Sequence, residues 1–247
     1  MIDFHSHILP GIDDGARDLA EALAIARAHV ADGTRCVVAT PHIYPGVFDN
    51  TPATIAAAHA TLVAAIADEG IALEIQWAAE VRAGADVIDM LAQGTLPFLG
   101  QDGPWRHLLL ELPDHQIPVG TDKLVAMLMR QHVKPVIAHP ERNKGVMADV
   151  QKIKPLVDLG CLLQVTAGSV LGEFGSRAQH TAEQLIDQGW VHALASDAHR
   201  TTTRAPKIKP ARTWLLARYG NTVADALTLS GPARICQPLV GQSGMAA

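Results

Sequence analysis

The sequence predicts an α/β fold in which a parallel sheet closes, or nearly closes, into a β/α barrel of about seven strands. Two observations point there. Short apolar runs alternate with helix-forming stretches along almost the whole chain, which implies a parallel sheet covered on both faces. Histidines and carboxylates recur where an apolar run gives way to a loop, as expected when the C-terminal ends of barrel strands converge on one face. The second observation favours a barrel over an open, doubly wound sheet.

Ile2–His5 opens the chain as a short strand. Arg17–Ala31, rich in alanine and leucine, follows as a helix with Gly33 just beyond its end. Cys36–Thr40 (CVVAT) is a compact apolar strand stopped by Pro41. Pro52–Asp68 reads as a helix with Thr51 as its cap and proline in its first turn. Leu73–Ala78 is the next strand and Ala85–Ala92 a short helix, whereas Gln93–His107 is turn-rich and carries no clear element. Leu108–Leu112 (LLLEL) and Pro135–Ala138 are strands on either side of the helix Thr121–Gln131. A helical stretch near Met147–Asp158, the strand Leu162–Val165, the helix Ala178–Gln188 and the strand Ala193–Ala195 continue the alternation. Helices near Ala211–Tyr219 and Thr222–Leu229 end it.

The 247 residues, 48% hydrophobic, suffice for one barrel or two small domains. No polar or Gly/Ser-rich linker intervenes, so a single domain over 1–247 is expected, with 211–247 as a helical C-terminal part. With 20 basic and 25 acidic side chains the net charge is −5, and the basic run of a nucleic-acid binder is missing. The start, MIDFHSH, is too polar for a signal peptide, and no segment approaches the roughly 18 apolar residues of a membrane span. A cytoplasmic protein without membrane insertion is expected. Cys36, Cys161 and Cys236 lie far apart beside apolar residues, which argues for packing and against a disulfide framework or a cysteine zinc site. The glycine-rich nucleotide signatures are absent too.

The polar residues at strand ends carry the chemistry. His5 and His7 end the first strand, His42 follows CVVATP, and Glu80 follows LEIQWAA. Glu111 lies near the end of LLLEL, His139 follows PVIA, and Asp197 and His199 follow HALAS. Side chains two apart in extended chain point the same way. His5 and His7 can thus face one ion, as can Asp197 and His199 unless that segment turns and straddles two. Mixed nitrogen and oxygen donors suit zinc, manganese or iron better than magnesium or calcium. Asp14 in the loop GIDDG is a further candidate, with neighbouring Asp13 its direct competitor and helix capping or an Asx-turn its alternative role. Glu80 has a rim ion pair as its alternative. Glu111 reads equally well as a ligand or as a carboxylate that orients one from behind. His29, His59 and His180 fall in helices, where solvent exposure or local hydrogen bonding is expected, and His107, His115, His132 and His192 lack the strand-end placement. Trp77 reads as core before pocket wall.

Several stretches together resemble the PHP (polymerase and histidinol phosphatase) superfamily, especially the bacterial tyrosine-protein phosphatases of capsule and exopolysaccharide operons. They are DFHSHILPGIDDGARD at Asp3–Asp18, ATPH at Ala39–His42, AAE at Ala78–Glu80 and LLLELP at Leu108–Pro113. AHPERN at Ala138–Asn143, TAGSVLGEFG at Thr166–Gly175 and ASDAHR at Ala195–Arg200 complete the set. The resemblance implies a distorted, seven-stranded, TIM-like barrel with three divalent metal ions, manganese first, with iron or zinc as alternatives. It implies His5, His7, Glu80 and Asp197 around the first metal, with Glu80 bridging to a second held also by Glu111 and His139. Asp14, His42 and His199 would hold the third, and Arg142 and Arg204 would bind phosphate.

Adjacent divalent ions can generate a bridging hydroxide. The expected activity is therefore phosphotyrosine hydrolysis by in-line attack of such a hydroxide, the two arginines holding non-bridging oxygens. The resemblance implies the phosphotyrosine-bearing tail of a bacterial tyrosine kinase as partner; an oligomer contact by the C-terminal helices stays open. Hydrolysis of histidinol phosphate or another small phosphomonoester is the alternative. A metal-stabilised, non-enzymatic interaction protein is the third reading, one that leaves the arginines unexplained.

Overall fold

The structure, a computed structural model, describes residues 1–238; the last nine residues of the expected helical C-terminal part lie outside the described residues. Its strands are β1 (Ile2–Ser6), β2 (Cys36–Ala39), β3 (His42–Ile43), β4 (Glu74–Trp77) and β5 (Glu80–Arg82). They continue with β6 (Gly100–Asp102), β7 (Trp105–Glu111), β8 (Val133–Ala138), β9 (Leu162–Thr166) and β10 (Val191–Ala195). β1, β2 and β4 pair in parallel, and so does the path β3–β5–β7–β8–β9–β10. The two groups are one sheet interrupted by short breaks. Only Thr40 and Pro41 part β2 from β3, and only Ala78 and Ala79 part β4 from β5. Thr40 N donates to Ser6 O (2.9 Å), Ala78 N to Ala39 O (2.8 Å) and Glu80 N to Pro41 O (3.1 Å), carrying the ladder across the breaks. The opposite seam closes through the Ser6–Ala198 bridge, His7 N to Ala198 O (2.8 Å) and Asp197 N to His5 O (2.8 Å). The result is a distorted parallel barrel of the expected kind.

Alternation along the strands explains why they read as unbroken apolar runs. Leu109 joins Phe4, Val38, Ala78, Val136, Ala138, Ala193 and Ala195 in the barrel interior. Leu108 and Leu110 instead join the layer beneath the helices, with Ile25, Val37, Val125, Leu163 and Leu194. Ile235 and Cys236 pack into the interior cluster. On β7 the inward set that includes Leu109 reaches Glu111 at the mouth. On β1 the register slips between Asp3 and Ser6, which allows His5 as well as Phe4 to turn inward.

The helices are α1 (Leu19–Ala31), α2 (Pro52–Asp68), α3 (Asp86–Gln93), α4 (Thr121–Arg130), α5 (Lys144–Ala148) and α6 (Lys154–Asp158). After them come α7 (Ala167–Val170), α8 (Ser176–Asp187), α9 (Ile208–Asp225) and α10 (Gly231–Ile235). α1 begins two residues later than expected because Asp18 caps it, accepting from Glu21 N at 2.8 Å. Thr51 caps α2 as expected, in a reciprocal pair with Thr54. The expected helix near Met147–Asp158 is broken: extended Asp149 caps the following turn at Gln151 N, so α5, a 3₁₀ turn and α6 replace it. Gln93–His107, unassigned from sequence, holds the antiparallel β6–β7 hairpin. The gap expected between the last two helices is a break at Gly220 (φ 77°) inside α9. Among the described residues no helix is long and apolar enough to cross a membrane.

Beneath the barrel mouth, Asp3 is fully buried. Its Oδ1 accepts from Ser196 N (3.0 Å) and His5 N (3.3 Å), and His29 Nδ1 lies 3.6 Å from its Oδ2. Burial pushes the Asp3 carboxyl up to about 6 and the His29 imidazole down to about 3. A raised carboxyl gives stability that is complete below its ordinary value of 3.8 and is lost as pH rises through about 6. Asp3→Asn is expected to flatten this loss, removing a pH-dependent change of about 3 kcal/mol at most. Urea unfolding of the chelated protein across that range checks it; an unaltered pH slope would refute it.

Candidate active site

The C-terminal ends of β1, β7, β8 and β10 with the residues just beyond them, and the first residues of β3 and β5, bring His5, His7, His42, Glu80, Glu111, His139, Asp197 and His199 to one mouth, and the loop after β1 adds Asp14. Within four groups of donor atoms, every pair lies within 4.8 Å: His7, Asp14, His42 and His199; His5, His7 and Glu80; His5, His139 and Asp197; His42, Glu80 and Glu111. These groups overlap the ligand sets implied by the resemblance without coinciding with them. His139 groups with His5 and Asp197, yet its Nε2 also lies 2.8 Å from Glu80 Oε1.

Local backbone aims these side chains. His139, Asp197 and Arg204 adopt left-handed conformations (φ 32°, 52° and 53°), the kind of strain that collects at functional sites. Gly15 lets the acidic loop press onto the chain just beyond β1: a Cβ there would lie 1.9 Å from His7 O. Ala16 N donates to that same carbonyl (3.0 Å). The close approach puts Asp13 Oδ2 2.7 Å from His7 Nδ1. Asp14 Oδ1 faces inward, 3.2 Å from His199 Nε2 and 3.5 Å from His42 Nε2. The two aspartates therefore divide the work, Asp14 inside the cluster and Asp13 behind His7.

Hydrogen bonds behind the rings assign the tautomers. His5 Nδ1 donates to Gln164 Oε1 (2.9 Å), His7 Nδ1 to Asp13 Oδ2 (2.7 Å) and His199 Nδ1 to the Asp197 carbonyl (3.0 Å). Each Nε2 is thereby left as a lone pair directed into the cavity. His5 Nε2 and His7 Nε2 lie 3.3 Å apart, and Glu80 Oε2 is 3.2 and 3.3 Å from them. Asp197 Oδ1 sits 3.3 and 3.4 Å from the same two nitrogens. Glu80 Oε2, Asp197 Oδ1, His42 Nδ1 and His199 Nε2 are buried without a hydrogen-bond partner. Acceptors crowded on acceptors repel unless positive charge lies among them.

The titration behaviour reports the same demand. Burial alone would lower His5 and His7, but the carboxylates around them, Glu80 and Asp197 for His5 and Asp13 foremost for His7, override it and raise both. His139 and His199 are pushed down to about 4, chiefly by burial, and burial lowers His42. Burial opposes ionisation of Asp197, yet Arg204 and Arg142 hold its carboxyl well below the usual range. Burial and the Glu80 charge push Glu111 up to about 7, against the pull of Arg82, which bonds its Oε2 at 2.9 Å.

Arg142 Nη1 and Arg204 Nη2 both donate to Asp197 Oδ2, the latter at 2.6 Å. Asp197 thus turns one oxygen to the histidines and the other to two guanidiniums. Sequence reading missed Gln164, Asp13's exact role, Arg82 and the buried Glu141. Gln164 is the legible one in hindsight, a polar side chain inside the apolar run LLQVT of β9. Of the histidines set aside, none joins a donor group among the described residues. His29 is nonetheless a correction: it is fully buried, its Nε2 3.2 Å from Ser6 Oγ, because α1 packs that face on β1. His107 Nδ1 donates to Ile235 O at 2.8 Å, and Trp77 packs partly buried against the helix-side core.

Residues 1–237 match the family described as capsular polysaccharide synthesis, CpsB/CapC. The chain belongs to the CpsB/CapC family. Tyrosine-protein phosphatase YwqE of Bacillus subtilis is 35% identical over 228 residues, covering 92% of this chain and 89% of YwqE. A solved structure from the work on YwqE of B. subtilis and CpsB of Streptococcus pneumoniae, unique metal-dependent tyrosine phosphatases, superposes with a TM-score of 0.85 at 34% identity. It covers 91% of this chain and 90% of that one. A variant organophosphorus hydrolase from Deinococcus radiodurans (TM-score 0.57, 14% identity, 95% of this chain and 92% of that one) shares the fold alone. The PHP-type resemblance read in the sequence agrees with membership of the CpsB/CapC family.

Proposed function

We propose that this CpsB/CapC chain is a metal-dependent protein-tyrosine phosphatase of the cytoplasm. Its proposed substrate is the phosphotyrosine-bearing tail of a bacterial tyrosine kinase in capsule or exopolysaccharide regulation. One observation carries the metal part: the inward lone pairs of His5 Nε2 and His7 Nε2, 3.3 Å apart beside the orphaned Glu80 Oε2. The donor set of imidazoles and carboxylates fits divalent manganese, iron or zinc. We assign His5, His7, Glu80 and Asp197 to a first ion, Glu80, Glu111 and His139 to a second, and Asp14, His42 and His199 to a third, with manganese the first expectation. Divalent ions there supply Lewis acidity and a water of lowered pKa.

The chain's own groups do the rest. Arg142 and Arg204, which meet at Asp197 Oδ2, would take the non-bridging phosphoryl oxygens by charge-assisted hydrogen bonds. Asp13 and Gln164 hold His7 and His5 in the ligating tautomer. Asp13→Asn is expected to weaken metal binding about 10- to 100-fold, read by titration of the chelated protein; unchanged affinity would remove Asp13 from this role.

No cysteine takes part. Cys36, Cys161 and Cys236 are buried, and burial, first among the causes, raises each thiol, Cys36 and Cys161 to about 12. Cys36→Ser is expected to keep full activity, whereas His139→Ala loses activity with its metal; an inactive but folded, metal-loaded Cys36→Ser would overturn the mechanism. The decisive assay sets phosphotyrosyl peptide and histidinol phosphate in parallel against the protein loaded with manganese, iron or zinc. Hydrolysis confined to histidinol phosphate would replace the substrate, and none with any metal would remove the enzyme assignment.

A further inference from the structure

The segment TAGSVLGEFG carries none of the donor groups at the mouth, yet it packs against the loop that holds Arg142. Glu141, the residue before that arginine, is fully buried. Its Oε1 accepts from Thr166 N (3.0 Å) and Ser169 Oγ (2.6 Å), which ties the HPERN loop to the start of α7. The far end of the segment then reaches the guanidinium: Arg142 Cζ lies 4.8 Å from the centre of the Phe174 ring. The ring lies close over Gly168, where an added Cβ would meet Phe174 Cε2 at 3.0 Å. The neighbouring Glu173, which also lies against Gly168, pairs with Lys207 at the start of α9. Arg142 therefore contacts both the Asp197 carboxylate and an aromatic face.

We propose that Phe174 is the positioning residue for Arg142, its ring fixing the guanidinium where it meets the phosphoryl group. An arginine has several rotatable bonds and loses most of its freedom when it binds an anion in one pose. Asp197 fixes one guanidinium nitrogen; the ring face fixes the plane, through cation–π attraction and stacking. An aliphatic residue at 174 keeps an apolar side chain there and removes the ring face. This inference rests on Arg142 as a phosphate-binding group.

Inorganic phosphate binding to the metal-loaded full chain tests it, followed by calorimetry alongside metal content, melting temperature and the kinetics of phosphotyrosyl-peptide hydrolysis. Phe174→Leu is expected to weaken phosphate binding about fivefold, the size of a cation–π contact, and to raise KM with metal content unchanged. Phe174→Tyr keeps the ring and is expected to restore both. In an Arg142→Met background Phe174→Leu is expected to add nothing further, because the group it orients is gone. If Phe174→Leu folds poorly, Phe174→Met serves with the same readings. Unchanged phosphate binding in the leucine or methionine variant, or an equal loss in the Arg142→Met background, would overturn the positioning role. Unchanged phosphate binding in Arg142→Met itself would instead remove the arginine's assignment, so the two failures are distinguishable.

Discussion

Asp197→Asn is expected to lower hydrolysis by at least about 10³-fold, or roughly 4 kcal/mol, and to bind metal poorly. The reason lies in the two oxygens of one fully buried carboxylate. Oδ1 lies 3.3 and 3.4 Å from the lone-pair nitrogens of His5 and His7 and has no hydrogen-bond partner, an arrangement that a cation among them would relieve. Oδ2 takes Arg142 and Arg204. An amide of the same shape keeps one acceptor but supplies no charge. The nitrogen that replaces one oxygen then either meets the guanidiniums or points at lone pairs that have lost their anionic neighbour. Metal analysis and peptide hydrolysis on the same preparation check this. A variant with full metal content and wild-type turnover would remove Asp197 from the centre altogether.

Arg142→Met is expected to leave the metals in place and lower kcat/KM for phosphotyrosyl peptide by about 10² to 10³, the usual effect of removing one preorganised donor from a charge that develops in the transition state. The contrast with Asp197→Asn is diagnostic. One variant loses the ions; the other keeps them and loses the clamp. Arg142 and Arg204 share Asp197 Oδ2, so the double variant is expected to lose less than the product of the single losses. A kcat/KM within threefold or so of wild type would show that Arg142 serves only to balance Asp197.

Metal binding should also weaken at acid pH. Protons and cations compete for the same lone pairs, and the carboxylates around His5 and His7, which raise both imidazoles, attract either.

Much of this was legible in the sequence because it is periodic or local. The apolar runs CVVAT, LLLEL and PVIA announced strands buried on both faces, and the structure sends Leu109 inward and Leu108 and Leu110 outward. Thr51 before Pro52 marked a capped helix start. The donor residues stood out because histidines and carboxylates recur where apolar strands end, and a parallel barrel gathers those ends on one face. What was hidden depends on contacts between distant segments. The β6–β7 hairpin lay in a turn-rich stretch without alternation. His29 read as a helical histidine either exposed or bonded locally, until α1 packed that face onto Ser6, 23 residues away in the chain.

The sequence by itself determined the parallel α/β barrel, the strand-end histidines and carboxylates, and the three cysteines as packing residues, because each follows from residue type and spacing. The tertiary structure alone decided that Asp14 faces the cluster while Asp13 backs His7, that Gln164 orients His5, and that Phe174 lies over Arg142. Hydrogen-bond direction and ring stacking depend on angles between segments that meet only when the barrel closes. Spacing along a chain does not encode them.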